Sequence, residues 1–452
     1  MDKISAQKLI QKPLQGSFNK EQFIYLAKNV LNHIEEAPFT YKGNLVFDDF
    51  ADSIQSVERI GKYQDPEEKL IDVLIVRLKK EASLDRARTR QRNFVTKYLK
   101  GSRGGVLKDA ALVAFVSPND DDWRFSLVKM EYKFNDKGKV EEEFTPARRY
   151  SFLVGKHENS HTAQSCLLPL LLDDEVNPTL KELEEVFSVE KVTKEFFEKY
   201  RDIFLKLKES LDEIVKKDKK LKEDFKAKDI NTIDFTKKLL GQIVFLYFLQ
   251  KKGWFGVPRG KDWGEGDKQF LRHLFEKAEH AKKNFFNDYL EPLFYQALRY
   301  DRSADDEYFS QFDCKIPFLN GGLFDPISDY DWVDTDIGLP NEIFSNDIKT
   351  KEGDVGSGIL DIFDRYNFTV KEDEPLEKEV AVDPEMLGKV FENLLEVKDR
   401  KSKGTYYTPR EIVHYMCQES LANYLSACFA QACLATEVDL PAPSGARQGR
   451  TR

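Results

Sequence analysis

The sequence predicts an α/β region followed by a large, mostly helical region. Two strand-like runs, ALVAFVSP and WRFSLVKMEYKF, flank the acidic turn NDDD in the first third of the chain. From about residue 177 to 395 the apolar residues recur at helical spacing. A further helix start is written in KGTYYTPREIVHYM, residues 403–416. These observations divide the 452 residues into an α/β domain (1–175), a helical connector (176–382), a third segment (383–425) and an atypical tail (426–452).

Taken in order, FNKEQFIYLAKNVLNHIEEA places Phe23, Leu26, Val30 and Leu31 on one helical face. PEEKLIDVLIVRLKK is short and apolar, and fits helix or strand equally. LDRARTRQRNFVTKYLK reads as a basic helix, RRYSFLVG as a third strand, and ENSHTAQSCLLPLLL as a helix. The stretch FFEKYRDIFLKLKESLDEIVKKDKKLKEDFKAK is amphipathic and lysine-rich, and reads as a connector helix with a solvated face. FTKKLLGQIVFLYFLQKKGWFG is apolar almost all round, which predicts a buried helix ended by Gly253. Residues 312–375 are rich in Gly, Asp and Pro and predict long loops, and DPEMLGKVFENLLE predicts another amphipathic helix. The last stretch, SACFAQACLATEVDLPAPSGARQGRTR, has no lysine and predicts a disordered tail or a terminus foreign to the rest of the chain.

Composition excludes several classes. Hydrophobic content of 41% with 33% charged residues is that of a globular protein. No run of about 18 apolar residues spans a membrane, and the N-terminus lacks a signal-peptide core. Five scattered cysteines without a CxxC pair support neither a zinc ribbon nor a disulfide framework, so a reduced cytoplasm is the expected setting. The net charge of −9 argues against a nucleic-acid coat, although charge is segregated along the chain.

In KGTYYTPREIVHYM, Pro409 suits the first turn of a helix, Thr408 stands at the N-cap and Glu411 completes a capping-box pattern. This stretch resembles the tyrosine–threonine–proline motif of gamma-class DNA adenine-N6 methyltransferases. LYFLQKKGWFG (246–256), IPFLNGGLFDP (316–326) and LGKVFENLLE (387–396) resemble, in the same order, the single-chain type IIG restriction–modification enzymes. The resemblance covers roughly residues 240–425. It implies that Tyr406, Tyr407, Thr408 and Pro409 line a pocket for S-adenosylmethionine at the opening of a Rossmann-like sheet. Aromatic walls suit a sulfonium cation, and helix-start amides suit the cofactor carboxylate. The family's glycine-rich loop and Asn-Pro-Pro-Tyr motif do not follow Pro409, and GDVGSG (353–358) precedes the motif and reads as a turn. The expectation is therefore a truncated methyltransferase domain, inactive alone, that works on double-stranded DNA with a separate C-terminal part.

The resemblance further implies a PD-(D/E)xK nuclease in the first domain, with Asp109 and Glu131 as Mg²⁺ ligands and Lys133 beside the attacking water. Read as a hairpin in which Pro118 faces Trp123, the two strands place Asp109 opposite Tyr132. That is the wrong face for Glu131 and Lys133 unless a bulge shifts the register. Gln164 on the following helix could face the same site. An active nuclease, an inactive nuclease-like DNA-binding domain and an unrelated α/β domain all fit these residues. Arg86, Arg88, Arg90, Arg92, Lys97, Lys100 and Arg103 carry no acid between them and predict a phosphate-contacting helix face, with a surface helix paired to acids as the plainer reading. His161 and His414 read as helix-start and packing residues.

Overall fold

The computed structural model describes all residues except 44–45, 81, 85–87, 102–105, 133–146, 320–321, 351–352, 370–375, 383, 385–387, 389–407, 409 and 438–452. It forms two compact units, Met1–Pro384 and Glu385–Arg452.

The first unit opens with helices α1 (Lys3–Leu14) and α2 (Lys20–Leu31). The chain then builds a mixed sheet from β1 (Glu35–Lys42), β2 (Ile54–Gln64), β3 (Leu70–Leu78), β4 (Ala110–Val116), β5 (Asp122–Met130) and β6 (Ala147–Gly155), with α3 (Arg88–Leu99) crossing between β3 and β4. A late segment adds a seventh strand. After the two-residue strands β7 (Tyr308–Phe309) and β8 (Cys314–Lys315), β9 (Glu377–Glu379) pairs parallel to β6 at the sheet edge. The β3–β4 pair is also parallel, and the other pairs of the large sheet are antiparallel. β3, LIDVLIVRL, is buried on both faces, which explains its unbroken apolar run. β1 is an exposed edge with Pro38 inside it.

Side-chain alternation gives the sheet two distinct faces. Leu74, Val76, Val113 and Phe115 lie against Phe94, Val95, Tyr98 and Leu99 of α3. Trp123 and Phe125 point the other way, with Phe23 of α2 against both. Helix α4 (His161–Leu172) packs with α1 and α2 on that second face.

The helical part follows with α5 (Leu180–Val186), α6 (Val189–Lys217), α7 (Lys219–Ala227), α8 (Thr232–Lys251) and α9 (Phe270–Ala281). The lysine-rich connector is two helices, because Asp218 ends α6 and its side chain caps Leu221 N of α7. Helix α8 is buried along most of its length. Gly253 follows at φ +69, and its Cβ would strike the Gly264 backbone. Two π-helical turns, Phe286–Leu290 and Leu293–Ala297, precede the expected loop region, which holds the short helices α10 (Asn341–Phe344) and α11 (Ile359–Phe363).

In the second unit, helix α12 runs from Arg410 to Glu437. Residues 426–437, expected in a disordered tail, are thus helical, as an alanine-rich segment favours. The helix expected over 383–396 lies largely outside the described residues.

Candidate functional site

The basic helix exists, but its charges do not share a face. Spacing of two residues on a helix alternates sides, whereas i, i+4 pairs share one. Arg88 and Arg92 face the sheet, near Glu377 at 3.8 and 3.6 Å. Arg90 faces outward and pairs with Asp52 at 2.6 Å, and Lys97 pairs with Asp49 at 2.5 Å. Lys100 is half-buried at the helix end. Arg86 and Arg103 lie outside the described residues.

Beneath Arg88 and Arg92 the sheet face turns polar. Arg124 of β5 and Arg149 of β6 are 0% and 1% exposed. Arg124 bonds Glu379 at 2.9 Å, and Arg149 bonds Glu377 at 3.2 Å and donates to Gln91 Oε1 at 3.0 Å. Burial lowers the Arg149 pKa; Glu377 opposes that shift, while Arg124, Arg88 and Arg92 add to it. Glu379 is held below the ordinary carboxylate range: burial would raise it, but Arg124 and Arg88 outweigh burial.

The two described residues expected for a nuclease, Asp109 and Glu131, each sit in a local network. Val116, not Pro118, faces Trp123, so the connecting turn is longer than the expected one. Met130 N donates to Asp109 O at 2.8 Å, which sets Asp109 beside Met130 in a register without a bulge. The Asp109 carboxylate accepts from Leu70 N at 2.9 Å and pairs with Lys69 at 3.2 Å. Glu131 pairs with Arg148 at 3.3 Å on the surface. Each acid thus has a basic partner of its own in this structure. Lys133 lies outside the described residues. Gln164 donates to Ser160 Oγ at 2.7 Å. Among the described residues no cluster of three or more His, Cys, Asp or Glu is arranged to hold a metal ion.

A cleft of about 430 Å³ opens where the loop after β6 meets α8 and α9, lined by Lys156, Glu158, Asn159, Gln250, Lys251, Lys268 and Arg272, with Phe368 and Tyr366 as aromatic wall. Its floor is a hydrogen-bonded network. Tyr247 donates to Asp364 Oδ1 at 2.7 Å, and Arg272 Nε donates to Asp364 Oδ2 at 2.7 Å. Arg272 also reaches Asp361 at 3.0 Å and Ser345 Oγ at 2.7 Å. Lys251 pairs with the buried Glu158. Burial raises the pKa of both Glu158 and Asp364, while Lys251 and Arg272 respectively pull them down. Such shifts gather at functional sites and at structural networks alike. No local pattern marks these residues, because the bonded partners lie 73 to 117 positions apart in the chain.

Arg272→Ala should lower the unfolding free energy by about 2–3 kcal/mol, less than for a fully buried pair because the cleft admits water. Urea denaturation measures it; a loss under about 0.5 kcal/mol would assign the network no structural weight.

Of the expected cofactor residues, Tyr406, Tyr407 and Pro409 lie outside the described residues. Thr408 is exposed two positions before α12 begins. That helix exposes Ile412, Val413, Tyr415, Met416, Leu421, Tyr424 and Leu425, a larger apolar surface than an isolated soluble helix normally presents.

The chain is 29% identical over 254 residues to a protein of Methanocaldococcus jannaschii named "putative type II restriction enzyme and methyltransferase". The match takes in 51% of this chain and 19% of that protein. No family model and no solved structure matches. The similarity supports a relationship to restriction–modification proteins.

Proposed function

We propose that the chain belongs to a site-specific DNA adenine-N6 methyltransferase of the type IIG restriction–modification kind, acting on double-stranded DNA in the cytoplasm. The carrying observation is the similarity to a type II restriction enzyme and methyltransferase in a chain that also holds the tyrosine–threonine–proline helix start. The domain plan is an α/β domain over 1–175, a connector over 176–382 and the opening of the methyltransferase domain over 383–425. The exposed apolar surface of α12 suits docking of a Rossmann-like catalytic sheet, supplied by the same protein or by a separate part.

S-adenosylmethionine, when bound, supplies the methyl group. Tyr406 and Tyr407 would wall its sulfonium, and Thr408 with the amides beyond Pro409 would meet its carboxylate. Excluding water there keeps the donor from hydrolysis. Recognition of adenine and polarisation of its amino group fall to the catalytic sheet.

A second reading concerns the first domain. Because Asp109 and Glu131 are separately engaged, a DNA-contacting domain without cleavage fits better than a Mg²⁺-dependent nuclease. The expected result is that Glu131→Ala leaves DNA cleavage by the assembled enzyme unchanged. Its loss with folding intact would restore the nuclease assignment to Glu131 and Lys133. For the main reading, tritiated methyl transfer to duplex DNA should be absent with this chain alone and present once the catalytic sheet is added. Transfer by the sheet at the same rate without this chain would remove the chain from the methyltransferase.

A further inference from the structure

One face of the sheet changes character along its width. Under β2, β3 and β4 it is apolar: Val57, Leu74, Val76, Val113 and Phe115 pack beneath α3. Under β5, β6 and β9 it carries Arg124, Ser126, Arg149, Ser151, Glu377 and Glu379, all buried. Arg88 and Arg92 of α3 close over this strip, with side chains 11% and 10% exposed. Two carboxylates thus lie among four guanidinium groups, at 2.9 to 3.9 Å. A buried ionic strip is poor evidence for stability, since well-packed apolar side chains of similar volume often hold a core equally well. Its presence here leaves room for another role.

Both carboxylates come from one place. Glu377 and Glu379 share one face of β9, a three-residue strand at the edge of the sheet, and meet Arg149 and Ser151 in register. A strand so short makes few ladder bonds, so its seat rests on these ion pairs together with the flanking bonds Arg149 N to Leu376 O and Val380 N to Ser151 O and the buried Val380, Ala381 and Val382 that follow. The spacing of its carboxylates, two residues of extended chain, is about 6.6–6.8 Å, close to the spacing of successive phosphates along a nucleic-acid strand. Arginine is the side chain best shaped to grip either group through paired N–H donors.

We propose that Arg88, Arg92, Arg124 and Arg149 form a binding site for the phosphodiester backbone of DNA, masked in this conformation by the chain's own acidic strand β9. The inference rests on the reading of duplex DNA as partner. Displacement of β9 is an anion exchange: two carboxylates leave the arginines and phosphates take their place, so no guanidinium is left buried without a counter-charge. The contact is sequence-independent and salt-dependent.

The test is fluorescence anisotropy of a labelled duplex of mixed sequence, in low and moderate salt, with the full chain. Glu377→Gln with Glu379→Gln should raise duplex affinity about tenfold and steepen the salt slope by about two charges. Because that variant strips counter-charges from buried arginines, a second variant keeps them: Tyr150→Cys with Lys378→Cys, register partners on β6 and β9. Its oxidised, strand-locked form should bind duplex at least about tenfold more weakly than the same protein reduced. Equal affinity in the locked and reduced forms overturns the proposal. Methyl transfer is a separate readout, so failure of masking and failure of the methyltransferase reading are distinguishable.

Discussion

Gly155→Ala is expected to destabilise the first unit by about 3–5 kcal/mol, the largest single-residue effect predicted for this fold. Gly155 ends β6 at φ +144, a conformation that only glycine adopts without strain. A Cβ built there would lie 2.5 Å from the Asp122 Cα and 2.9 Å from the Asp121 carbonyl, so backbone, not a flexible tip, would have to move. Gly155 also lines the cleft. Asp122 Oδ1 accepts from His157 N at 2.8 Å, which sets the path of the loop carrying Lys156, Glu158 and Asn159. The variant should therefore lose urea resistance, and a chain that still folds should show altered packing at the cleft by near-ultraviolet dichroism. Wild-type stability would mean that the loop takes a different path.

Glu291→Gln should act in the opposite direction, and only at the alkaline side. Glu291 lies between the two π-helical turns, 1% exposed. It accepts from Tyr330, while its second oxygen is buried without a hydrogen-bond partner. Burial pushes its pKa up to about 8. Between the ordinary carboxylate value and about 8, the native state keeps the proton that the unfolded state has released. Stability therefore falls as pH rises through that window, and the loss is complete above it. Glutamine can accept the Tyr330 hydroxyl without ionising. The variant should match the wild type near pH 5 and exceed it by a few kcal/mol near pH 8.5. Parallel stability curves across that range would show that Glu291 ionises freely in the folded protein. π-helical turns often mark functional positions.

Legibility in the sequence followed the range of the forces involved. Helices α2, α3, α4 and α8 and strands β4, β5 and β6 were readable because their patterns are local. The seven-residue strand β4, AALVAFV, is apolar enough to announce itself. β1 and β2 were not read, because strands such as IQSVERIGKYQ mix polar and apolar residues and a bulge near Gly61 breaks the alternation. β9 was invisible: its letters, EKE, are those of a loop, and only Arg124 and Arg149, more than 220 residues away, make them a strand. The arginine run misled for a geometric reason. Counted as composition it was one basic face; on a helix, Arg88 and Arg92 turn inward and Arg90 and Lys97 outward. The hairpin register failed because the turn after Val116 takes up extra residues, with Ser117 and Asp120 side chains bonding the turn backbone. The cleft around Arg272 and Asp364 had no local signal at all.

The central functional claim is that this chain serves adenine methylation of DNA. Its most direct test is to sequence, with base-modification detection, the DNA of cells expressing the chain together with a matching catalytic sheet, and of cells lacking either. N6-methyladenine at one short recognition sequence, present only with both, is the predicted result. The same methylation pattern with the chain deleted, or no modified adenine under any combination, would contradict it.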